Sequence, residues 1–130
     1  KIYKNPKSKF VAKLFGEVNE LTEFSNNLGE IKTPFGIVNC KKASIEKKEC
    51  LNKKHAYIIR PEDICLKEDA LEGIKGIIKD KHFLGSGWEY DIFLEREKKM
   101  VKASQCKESF RINQNVRITI KLENILIFKE

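Results

Sequence analysis

The chain has 130 residues, enough for one compact domain or two very small ones, and a chain of this size buries roughly two thirds of its unfolded surface. Apolar residues make up 41% and charged residues 35%, which excludes a disordered chain, and no apolar run approaches the roughly 18 residues of a membrane span. The net charge of +7 permits an anionic partner, but the excess is mostly Lys. Arg stands only at Arg60, Arg96, Arg111 and Arg117, whereas readers of base edges rely on Arg.

The opening stretch KNPKSKFVAKLFGE reads as a helix. Asn5 suits the N-cap, Pro6 the first helical position and Gly16 the C-cap. Phe10 and Leu14, and Val11 and Phe15, are four apart and share a face that packs on the chain's own domain. After Gly16 the period changes. NELTEFS alternates as a strand, and LGEIKTPFGIVNC gives two short strands about a turn at Thr33-Pro34. KKASIEKKECLNKKH is polar and reads as a mobile loop with room for one helical turn.

HAYIIRP is the next strand. LEGIKGIIKDKHFLG is a long one, with bends or bulges expected at Gly73 and Gly76. GSGW, from Gly85 to Trp88, is a hairpin turn. In WEYDIFLER, Trp88, Tyr90, Ile92 and Leu94 lie on one side and Glu89, Asp91, Phe93 and Glu95 on the other. KKMVKAS, NVRITIKL and NILIFK complete the strands. The order is one helix followed by strands only, which predicts a mostly-β antiparallel barrel or sandwich rather than a doubly wound sheet. The polar CLKEDALEG allows a division near Ala70 into two halves that exchange strands.

No phosphate-binding loop and no G-x-S-x-G elbow occurs. Cys40, Cys50, Cys65 and Cys106 form no C-x-x-C pair, and with only His55 and His82 the spacing gives no zinc site. The cysteines read as reduced thiols of a cytoplasmic protein. Glu62 and Asp63 are adjacent and have no nearby His, so they read as the acids of a short helical turn begun by Pro61 rather than as an acid-base pair. No catalytic, cofactor-binding or metal-binding residues are assigned.

Four segments, in order, resemble the C-terminal transport-associated OB-fold (TOBE) domain of ATP-binding subunits of bacterial ABC importers. FVAKLFGEVNEL is similar to the join at which the nucleotide-binding domain ends, through Phe10, Val11, Ala12, Phe15, Gly16 and Asn19. AYIIRPEDICL resembles the Arg-Pro-Glu corner, through Arg60, Pro61 and Glu62. GIIKDKHFLGSGWEYDIFLE is similar to the following strand pair, with Gly85 and Trp88 at its turn, and VRITIKLENILIF to the last two strands. Gly16-Glu17-Val18-Asn19 looks more like the ferric-iron, polyamine or thiamine branch than the maltose branch, which usually carries Gly-Ser-Pro. Two departures stand out: the loop from Lys41 to Lys54 is unusually basic, and no molybdate-type oxyanion pocket carries over residue by residue.

The resemblance implies an OB-like domain spanning 17–130 after a helical join at 1–16. It further implies a fragment of a longer transport ATPase, in keeping with the start at Lys1. The fragment itself would be neither an enzyme nor a cofactor binder, with ATP and Mg²⁺ expected in the preceding nucleotide-binding domain. Its partners would be a second copy of the ATPase subunit and, through the full-length protein, the membrane subunits, on the inner face of the cell membrane. Gly16, Asn19, Arg60, Pro61, Glu62, Gly85 and Trp88 are then structural or interface residues. Two other readings remain open. One is an OB-fold binder of single-stranded nucleic acid, stacking bases on Trp88, Tyr90 and Phe93, although the alternation turns Trp88 and Tyr90 toward the core. The other is a small-anion sensor cradling an oxyanion on turn amides.

Overall fold

The computed structural model describes residues 18–40, 50–68, 70–105 and 110–129. Among them lie ten strands: β1 (Asn19–Phe24), β2 (Glu30–Thr33), β3 (Gly36–Asn39), β4 (Lys54–Ile59), β5 (Cys65–Lys67), β6 (Ile74–Phe83), β7 (Trp88–Leu94), β8 (Lys99–Gln105), β9 (Asn115–Thr119) and β10 (Leu126–Lys129). Two 3-10 turns, Pro61–Asp63 and Leu122–Asn124, join them. None of these elements is an α-helix. The helix expected at the start of the chain, and Gly16 with it, lies outside the described residues, as does most of the basic loop after Cys40. An expected fold that included that helix is therefore met only in its β part. Among the described residues no helix is long and apolar enough to cross a membrane.

The chain divides into two compact units, one of residues 1–59 and 122–130, the other of residues 60–121. In the first unit β4 is central, with β1 and β10 antiparallel on its two sides. Every residue from His55 to Ile59 is buried, so side chains on both faces of β4 are covered. A strand covered on both faces has no reason to alternate. Ile58 packs with Phe128, Val18 and Leu126. The β2–β3 hairpin turns at Thr33–Gly36, where the Thr33 hydroxyl accepts from the Phe35 N–H at 3.1 Å and donates to the Gly36 carbonyl at 2.7 Å. Cys40 and Cys50 are buried thiols, and Cys40 Sγ donates to the Cys50 carbonyl at 3.1 Å.

The second unit is a five-stranded antiparallel sheet in the order β5-β9-β6-β7-β8, an open OB-like half-barrel. Its inner face carries Ile78, Tyr90, Ile92, Leu94, Val101 and Ile118, all at most 1% exposed. Fully burying one such side chain contributes about 1.5–3 kcal/mol. Tyr90 meets Phe110 edge-on at 5.6 Å, and its hydroxyl accepts from the Phe110 N–H at 3.3 Å. The alternation along WEYDIFL places Tyr90, Ile92 and Leu94 inward as expected.

Two details differ from the sequence reading. CLK forms the edge strand β5, where a polar connection was expected. The irregularity in β6 falls between Ile78 and Asp80 rather than at a glycine. Gly76 is instead a packing position, since a Cβ there would stand 2.7 Å from Ile92 Cγ2.

Candidate functional site

The corner that opens the second unit is built from Arg60, Pro61, Glu62 and Asp63. Arg60 is extended at φ −74° and ψ 140° and only 9% exposed. Pro61, buried, fixes φ and needs no N–H partner at the start of the turn. The Asp63 N–H donates to the Arg60 carbonyl at 3.0 Å, and the Ile64 N–H to the Pro61 carbonyl at 3.3 Å. The turn packs against β8. Glu62 is exposed, while Asp63 is half-buried. Burial raises the Asp63 carboxyl above its usual range, partly offset by the nearby charge of Arg60. In the first unit, the buried Asn19 donates from Nδ2 to the Ile59 carbonyl at 3.1 Å.

At the far end of β6 and β7, Gly85 takes φ +87° in open space, and the Leu84 N–H donates to the Gly87 carbonyl at 2.8 Å. Trp88 is half-buried, with Phe83 at 5.4 Å and Lys81 Nζ at 5.5 Å from its ring centre. Tyr90 is fully buried and Phe93 half-buried on the opposite face, so the three aromatics offer no common stacking platform.

The solvent face of the five-stranded sheet carries the chemistry. Residues opposite one another in an antiparallel ladder share a face, and the registers define three zones. Lys67, Arg117 and Lys75 stand in line across β5, β9 and β6. Arg117 and Lys75 border a shallow depression of about 350 Å³ that Glu68, Glu95 and Asn115 also line. Arg117 Nη1 is held on the Gly73 carbonyl at 3.0 Å. Next come Ile77, Phe93 and Met100 across β6, β7 and β8, with Met100 52% exposed. The third zone joins Asp80, His82, Glu89, Asp91 and Lys102.

In that zone a bulge decides who meets whom. Lys79 is the extra residue, so Asp80 rather than Lys79 stands opposite Asp91. His82 Nε2 lies 3.3 Å from Asp91 Oδ2 and 3.5 Å from Asp80 Oδ2. Lys102 Nζ donates to Asp91 Oδ1 at 3.1 Å and to Glu89 Oε1 at 3.4 Å. No spacing rule for cysteine and histidine reveals this group. Its signal in the sequence is Asp80-x-His82, two residues on one strand face, with Asp91 returning through the hairpin.

Solved structures share this fold. One is the cytoplasmic molybdate-binding protein ModG with molybdate bound, similar over 86% of this chain and 96% of that chain at a TM-score of 0.65 and 13% identity. No curated protein matches the sequence. The TOBE domain family model matches residues 57–128, a stretch holding the Arg60-Pro61-Glu62 corner, the β6–β7 pair and most of β10. That stretch is more than half of the chain, and the chain therefore belongs to the TOBE domain family.

Proposed function

We propose that the chain is the non-catalytic regulatory and dimerisation domain of the ATP-binding subunit of an ABC import system for ferric iron, polyamine or a similar small solute. The family match over 57–128 carries this reading. The resemblance of Phe10–Asn19 to the join after a nucleotide-binding domain supports it. ATP and Mg²⁺ then act in a domain preceding Lys1, and this chain pairs two ATPase subunits at the inner face of the membrane. Pairing two copies in this way biases the equilibrium between open and closed nucleotide domains.

The coding sequence upstream of Lys1 tests the reading directly: a Walker-type ATPase is expected, and a different neighbour overturns it. Sedimentation of the full-length subunit should show a dimer that is lost when residues 17–130 are removed.

A second reading, a small-anion sensor, draws on the aligned cations Lys67, Arg117 and Lys75 and on the molybdate held by ModG. Thermal shift with molybdate, sulfate and phosphate tests it, because a ligand that binds only the folded chain raises Tm. A rise that disappears in Lys75→Ala supports the sensor, and no rise at millimolar anion removes it.

A further inference from the structure

We propose that Asp80, His82 and Asp91 form a binding site for a divalent first-row transition cation on the outer face of β6 and β7. The site is independent of the transport reading and lies wholly within residues 60–121. Three observations converge.

The first is spacing. The donor atoms of the three side chains all lie within 4.8 Å of one another. Two of the separations, 3.3 Å and 3.5 Å from His82 Nε2, match the roughly 3.4 Å between ligands of a tetrahedral ion with bonds of about 2.1 Å.

The second is that each carboxylate is oriented through its other oxygen. Asp80 Oδ1 accepts from the Lys81 N–H at 2.9 Å, which leaves Oδ2 toward His82. Asp91 Oδ1 is held by Lys102 Nζ at 3.1 Å, which leaves its Oδ2 toward the same nitrogen. Partners of this kind aim metal ligands. A single N–H on Nε2 has to be shared between both oxygens, whereas a cation between the three atoms is ligated by each of them.

The third is the bulge. A regular ladder would set Lys79 opposite Asp91, an attractive pair. The inserted residue replaces it with an Asp–Asp pair, and like charges directly opposite are unfavourable. A bound cation reverses that sign. One imidazole nitrogen with two carboxylate oxygens suits Zn²⁺, Fe²⁺ or Mn²⁺ better than the all-oxygen preference of Mg²⁺ and Ca²⁺. His82 and Asp80 are half exposed, so water completes the coordination.

The test is titration of the full chain under reducing conditions, with Zn²⁺ followed by calorimetry and Mn²⁺ by loss of its free-ion paramagnetic resonance signal. One ion per chain is expected, with Zn²⁺ tighter than Mn²⁺. His82→Ala and Asp91→Asn should each weaken both ions by at least about tenfold while leaving the circular dichroism spectrum unchanged. A shift of the His82 imidazole nitrogen on adding Zn²⁺ supports direct ligation. Absence of binding at millimolar ion, or equal affinity in His82→Ala, overturns the proposal.

Discussion

Replacing Gly73 by Ala separates two costs that glycine avoids. Gly73 sits just before β6 at φ +102°, where an L side chain is strained by about 1–3 kcal/mol. An added Cβ would also stand 2.6 Å from the Ile118 carbonyl oxygen and 2.9 Å from Thr119 Cγ2. Ile118 is fully buried in β9 and paired on both sides, to Leu66 and to Ile74, so its backbone cannot retreat. Overpacking of this kind costs about 1–3 kcal/mol. Stiffening the unfolded chain returns about 0.4–1 kcal/mol, leaving a net loss of roughly 1–5 kcal/mol, centred near 3.

Gly85→Ala is the matched control. Its φ of +87° carries a similar strain, but nothing lies within 4 Å of the new Cβ. The net loss there is about 1 kcal/mol. Urea unfolding followed by the fluorescence of Trp88, the single tryptophan, reads both variants in the same unit. With a slope of about 1–3 kcal/mol per molar urea, Gly73→Ala should unfold roughly 1 M earlier than Gly85→Ala. Equal midpoints would show that the contact with Ile118 costs nothing and would refute the packing account of Gly73.

Other expected outcomes rest on single groups. The phenol of Tyr57 is pushed up to about 12, by burial first and then by the carboxylate of Glu23. Its stabilisation is therefore complete below pH about 10 and lost as pH rises toward 12, a contribution of about 2–3 kcal/mol. Urea midpoints measured between pH 9 and 12 should fall more steeply in the parent than in Tyr57→Phe. Burial raises the Asp63 carboxyl, so its neutral form is the one that favours folding, and that contribution disappears as pH rises through the folded value. Asp63→Asn should accordingly raise Tm at pH 7, with the gain vanishing near pH 3; a Tm lowered at pH 7 would mean that attraction to Arg60 outweighs burial. Tyr90→Phe strands the Phe110 N–H and should cost about 1–3 kcal/mol in urea unfolding.

The pattern of side chains by itself determined most of the strands. The inward alternation of Tyr90, Ile92 and Leu94 in WEYDIFL, and the run HAYII, mark their strands because a half-covered strand repeats every two residues and a fully covered one does not. The Arg60-Pro61 corner was legible for a local reason, since proline sets its own φ and stops a ladder. Non-local features were not legible. CLK became a strand only because β9 offers it a ladder, and three residues are too few to show a period. The return of β10 to pair with β4 spans more than sixty residues and is fixed by burial of Phe128 on Ile58, which no local pattern encodes. The same holds for Asp80, His82 and Asp91. Their sequence order is ordinary for a charged strand face, and only the one-residue slip at Lys79, which tertiary pairing sets, turns Asp80 onto Asp91 and brings the imidazole between them.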